Sequence, residues 1–108
     1  MEEMNFDYKG NHYTLGFTRR TALAMEQSGF NIYEIETKPL TRIPQLWNGA
    51  FMLYHKRVTE EQKREIWNHM RRKDEIVTRL GEMYMDAVAS LVVDNEEDED
   101  NEDFIDWK

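Results

Sequence analysis

The densest group of residues that could do chemistry stands at the end of the chain, in DNEEDEDNEDFIDWK, Asp94 to Lys108, where nine carboxylates fall within thirteen positions. Carboxylates at that density could hold a divalent cation or imitate a phosphate backbone. A calcium loop starting at Asp94 would need Gly at its sixth position and Glu at its twelfth, and the chain has Glu99 and Ile105 there. Duplex imitation fails on density: DNA carries one charge per about 1.7 Å of axis, whereas extended chain at about 3.4 Å per residue spaces these acids roughly 5 Å apart. Shielding of a basic surface remains open. Solvation accounts for the acids but not for Phe104, Ile105 and Trp107. The segment therefore reads as an acidic spacer carrying an apolar tip, expected to dock on its own body, a neighbouring copy or another protein.

Elsewhere the catalytic inventory is thin. Ser28 and Ser90 are the only serines and neither stands in a G-x-S-x-G setting. His12, His55 and His69 are far apart, with no H-E-x-x-H and no carboxylate at zinc-ligand spacing, so they are expected to be surface histidines. Without cysteine there is no thiol nucleophile, zinc-thiolate site or disulfide framework. The glycines form neither a P-loop nor G-x-G-x-x-G. No catalytic residue, metal site or cofactor is expected, and the chain reads as a non-enzyme.

Charge location narrows the partners. The net charge is -8, yet residues 1–93 carry 13 acidic and 13 basic side chains, and the imbalance lies wholly in the nine acids that follow. A neutral body with an acidic end offers few cations to neutralise phosphates, which argues against direct nucleic-acid binding. Local basic clusters at Lys56-Arg57, Lys63-Arg64 and Arg71-Arg72-Lys73 are either solvated helix ends or an internal dock for the acids. MEEMNFDYKG has no basic and apolar leader pattern, and no apolar run approaches the roughly 20 residues of a membrane span. A cytosolic setting is expected.

The elements that must position these groups follow from periodicity. Phe6 and Tyr8, then Tyr13, Leu15 and Phe17, alternate with polar residues around Gly10-Asn11, the pattern of a β-hairpin. Thr18 can cap a short helix, RRTALAMEQS, ended by Gly29. NIYEIETKP is ambiguous, with Asn31 able to cap one helical turn. Ile43, Leu46, Trp47, Ala50, Phe51 and Tyr54 form one helical face, and Pro44 is tolerated only in a first turn, so a start near Arg42 or Ile43 is predicted. TEEQ at Thr59 to Gln62 is a capping box. A final helix from Asp74 keeps an apolar stripe from Ile76 to Val92, with Gly81 as a candidate close helix contact. The expected fold is mainly α: residues 1–93 as a single globular domain, an N-terminal β-hairpin packed on a compact bundle of about four helices, and residues 94–108 as a disordered acidic tail.

The order YTLGFTRRTALAMEQSGFNI, KPLTRIPQLWNGAFMLYHKRVT, KDEIVTRLGEMYMDAV and a short aromatic-ended tail resembles the tail assembly chaperones of long-tailed bacteriophages and prophages, particularly the small type of Gram-positive hosts. That resemblance implies a non-enzymatic, transient role in the host cytoplasm. Such chaperones bind the tape measure protein, keep it soluble, help tail tube protein polymerise around it, and are absent from the mature virion. In related phages a frameshifted longer form engages the tail tube protein. Seven Met, three Trp, five Tyr and five Phe suit a surface that covers helical clients. Trp47, Phe51, Met83 and Tyr84 are expected in the core, whereas Met52, Trp67 and Met85, with Phe104, Ile105 and Trp107, are candidates for partner binding. Self-association is left open. The competing reading is a phage-encoded acidic inhibitor that blocks a basic site on a host or defence protein.

Overall fold

Alternation does produce a hairpin. In the computed structural model, which describes residues 2–92, β1 (Met4–Tyr8) pairs antiparallel with β2 (Asn11–Leu15), setting Phe6 opposite Tyr13. The turn is Lys9-Gly10 rather than the expected Gly10-Asn11, because Asn11 already pairs with Tyr8. A two-residue connection matches the strand twist only with both central residues at positive φ, and Lys9 (48°) and Gly10 (80°) adopt it. A two-stranded sheet is marginal in water, so this one is anchored elsewhere. The Gly16 N–H donates to the Ala50 carbonyl at 3.2 Å, and the Thr14 N–H donates to His55 Nε2 at 3.0 Å.

That second bond corrects the reading of His55 as a surface histidine. Its ring is half-buried, 5.3 Å from Tyr13 and 6.2 Å from Phe51. Accepting from Thr14 fits the tautomer that carries its proton on Nδ1. His12 and His69 are exposed, as expected.

Four helices follow. α1 (Arg19–Gln27) begins at a reciprocal cap between Thr18 and Thr21 and ends before Gly29, whose φ of 99° suits glycine alone. Asn31 resolves the ambiguous stretch by accepting from the Tyr33 N–H at 3.0 Å and capping a 3-10 turn, Ile32–Glu34. Arg42 fixes that turn to the next helix by donating to Glu34 through Nε at 2.9 Å, with Nη2 at 2.7 Å from the same oxygen. The hydrogen bonds from Arg42 and then Lys38 hold the Glu34 carboxyl below its ordinary pKa.

α2 (Pro39–Ala50) starts earlier than predicted and contains Pro44. Pro39 takes the first position, where a missing N–H is harmless. Pro44 then deprives the Leu40 carbonyl of its helical donor. Leu40 is 93% exposed, so water can satisfy that carbonyl and the turn persists. α3 (Glu60–His69) uses the anticipated capping box, with the Gln62 N–H donating to Thr59 Oγ1 and the Thr59 N–H donating to Gln62 Oε1. α4 (Lys73–Ala89) is entered through Arg72 in the left-handed region. It stops short of the expected end, leaving Leu91 (68% exposed) and Val92 (80%) outside the packed stripe.

The core lies where α2 meets the hairpin and the other helices. Leu15, Leu46, Phe51, Ile66 and Leu80 are fully buried, and Trp47, Met83 and Tyr84 nearly so, as expected for the last three and Phe51. Trp47 is the hub: its ring lies 5.0 Å from Trp67, 5.1 Å from Phe51 and 6.2 Å from Phe6. Its indole N–H donates to the Lys63 carbonyl at 2.8 Å, so burial leaves no orphaned donor. The close helix contact is at Gly49, not Gly81. A Cβ on Gly49 would meet Met25 Sδ and Cε at 2.5 Å, whereas one on Gly81 would meet only Ile32 Cδ1 at 3.9 Å. The architecture is thus an N-terminal hairpin followed by four helices. Among the described residues no helix is long and apolar enough to cross a membrane.

Candidate functional site

α1 and the last turns of α4 leave a groove between them. Nine residues of α1 extend about 14 Å against about 25 Å for the seventeen of α4. α1 buries Thr21, Ala22 and Met25, which places Leu23 on its outer side. On α4 the buried Tyr84 shares a face with Val88 and Leu91, four and seven residues further on. These residues lie alongside Arg19 to Glu26 of α1. The result is an open groove of about 420 Å³ lined by Leu23, Tyr84, Val88 and Leu91, with Arg19, Arg20 and Glu26 at its sides. Phe17 and Phe30 hold Tyr84 edge-on at 5.6 and 5.1 Å. Burial, and secondarily the Glu26 charge, raise the Tyr84 phenol pKa, so this hydroxyl stays protonated at neutral pH and is no base.

The charge at the groove contrasts with the starts of α3 and α4. α3 and α4 carry Glu60-Glu61 and Asp74-Glu75 in their first turns, where acids offset the positive end of the helix dipole. α1 carries Arg19-Arg20 and no acid there, an arrangement that costs roughly 0.3–1 kcal/mol for each such charge. Asp86 lies with Arg19 beside a neighbouring hollow. Neither guanidinium reaches a carboxylate at ion-pair distance among the described residues. An anion laid along this groove would meet both.

The residues singled out from the sequence do not form one patch. Met52 is half-buried and lines a shallow notch with Met25, Phe30 and Gly49. Trp67 is half-buried, packed on Trp47, with Lys73 Nζ 5.9 Å from its ring centre. Met85 is exposed at 36% on α4. Phe104, Ile105 and Trp107, the boundary at residues 93 and 94, and the acidic tail lie outside the described residues. Sequence reasoning missed Leu23, Val88, Leu91 and Val92, three of which it assigned to a packed stripe. No single stretch of sequence carried a signal for them, since the groove lies between two helices far apart in the chain. The basic cluster Arg71-Arg72-Lys73 stands at the opposite end of α4 from the groove. Part of it is engaged, with Lys73 Nζ donating to the Met70 carbonyl at 2.8 Å and Arg72 3.5 Å from Glu75.

Among the described residues no three of His, Asp and Glu converge as metal ligands would. The groove has an apolar floor and a cationic side, dimensions that suit one amphipathic helix or extended peptide. The family model described as a domain of unknown function (DUF5055) matches residues 1–108. The chain belongs to the DUF5055 family. No curated protein and no solved structure matches this DUF5055 chain.

Proposed function

We propose that this DUF5055 protein is a non-enzymatic assembly chaperone of phage tails, which binds the tape measure protein, keeps it soluble and assists tail tube polymerisation in the host cytoplasm. The observation that carries the reading is the uncovered α1–α4 groove. Leu23, Val88 and Leu91 form an apolar floor at helical spacing, and Arg19-Arg20 flank it. A long helical client presents apolar side chains at intervals of three and four, and a groove of this kind takes one such face at a time. The neighbouring acids of an amphipathic client then face the two arginines. The sequence resemblance to tail assembly chaperones supports the client's identity, and the groove supports the mode of binding. A finished particle needs no such contact, in keeping with absence from the mature virion.

Co-expression with helical fragments of a tape measure protein tests this. The soluble fraction of the fragment rises with the wild-type chain and falls back with Leu23→Asp combined with Val88→Asp. Both positions are exposed, so the variant retains its fold, as circular dichroism would record. A fragment that stays insoluble beside the wild-type chain overturns the proposal. Capture instead of a nucleic-acid enzyme through the acidic C-terminal residues would favour the inhibitor reading.

A further inference from the structure

We infer that the α1–α4 groove is occupied, when no client is present, by this chain's own C-terminal segment, residues 94–108. Phe104 and Trp107 cover the floor at Leu23 and Val88, and the acids before them face Arg19 and Arg20. Four observations meet here. Leu91 lines the groove and Val92 follows it exposed, so the segment sets out from the groove's own rim. The ten residues 94–103 can extend about 34 Å, more than twice the roughly 14 Å length of α1, so the tip can turn back onto the floor. The segment carries nine acids, and the groove carries two arginines with no ion-pair partner among the described residues, outnumbering the lining Glu26. Finally, the segment's apolar residues are confined to its tip, as a small apolar floor requires.

The alternative dock at Arg71-Arg72-Lys73 fits less well. It lies at the far end of α4, and its cations are partly engaged by Met70, Trp67 and Glu75. Charge attraction alone is screened beyond about 8 Å at physiological ionic strength, so the acids steer and the aromatics hold. Tethering supplies an effective concentration on the order of millimolar, enough for a contact too weak to hold two separate molecules. One consequence rests on the client reading given above: a client must displace the segment, which acts as a built-in competitor and keeps the groove from sticking to other surfaces. The docking itself does not depend on any client.

The absence of cysteine makes the test clean. Asp106→Cys in the full chain takes a single spin label, and amide spectra are recorded with no client added. The label attenuates the amide signals around Leu23 and Val88. That loss is reversed by Phe104→Ala with Trp107→Ala, and also by Arg19→Glu with Arg20→Glu. The second pair cannot act by weakening α1, since acids suit a first turn. Undisturbed groove signals, or attenuation at residues 71–73 instead, overturn the inference. So does attenuation found only when a spin-labelled chain is mixed with a separate isotope-labelled chain, which would name a second copy as the occupant. Because no tape measure fragment is present, a negative result here leaves the client reading standing, and an insoluble client leaves the docking standing.

Discussion

The two ends of this bundle treat their apolar side chains in opposite ways. Around Trp47, aromatic rings from β1, β2, α2 and α3 close on one another at 5.0 to 6.2 Å, and the one polar atom they enclose is hydrogen-bonded. Beside the last turns of α4, Leu23, Val88, Leu91 and Val92 are exposed, with no helix over them among the described residues. Both sets are apolar, aromatic at the first place and aliphatic at the second. What differs is cover: the hairpin and α3 close over the first region, whereas the groove between α1 and α4 leaves the second open among the described residues. An apolar stripe is thus evidence of burial only where neighbouring elements close over it.

The largest test of that contrast strikes the packed end. Trp47→Ala should lower unfolding free energy by about 3–5 kcal/mol, read from urea denaturation, because it empties the site shared by Phe6, Phe51 and Trp67. A loss below about 1 kcal/mol would mean that end is not close-packed at all. Next comes the pair of glycines. Gly49→Ala forces a methyl into Met25, at about 1–3 kcal/mol of overpacking, partly offset by roughly 1 kcal/mol of helix propensity. Gly81→Ala meets only ordinary contact and should gain up to about 1 kcal/mol. Equal effects at the two positions would refute the assignment of the close approach to α1 and α2.

How much of this could be read from the sequence depends on how local each signal is. The strand alternation, the Thr18 and Thr59 caps, Gly29 and the onset of α4 are all set by residues within one turn of each other, and each appears in the structure. The start of α2 was misplaced because two prolines compete for one first turn. The Arg42 pairing with Glu34, eight residues away, and the exposure of Leu40 accompany the choice of Pro39. The hairpin turn slipped by one residue because Lys9 accepts a positive φ that composition gives no reason to expect. His55 was misjudged since its partner, the Thr14 amide, is 41 residues away. The groove was hidden for a similar reason: it lies between two helices far apart in the chain, and no single stretch contains it.

Smaller effects sharpen the comparison further. Arg72→Gly relieves a left-handed conformation at the entrance to α4 and should add up to about 1 kcal/mol, with its 3.5 Å contact to Glu75 too exposed to oppose that gain. The triple variant Leu23→Ser, Val88→Ser, Leu91→Ser should change stability by no more than about 1.5 kcal/mol, at about 0.5 kcal/mol for each surface position. A loss comparable to that of Trp47→Ala would show the exposed end to be core after all.

The hairpin's anchors carry a consequence for the order of folding. Tyr8 donates to Glu65, Tyr54 donates to Glu3, and Arg79 donates to the Glu3 carbonyl, partners separated by 57, 51 and 76 residues. A ribosome delivers the two strands before any of these helices, and the surface they rest on first exists when α2 and His55 have been made. The bonds to Glu65 and Arg79 can form only later. Phe6, Tyr13 and Leu15 therefore wait uncovered at least until α2 emerges.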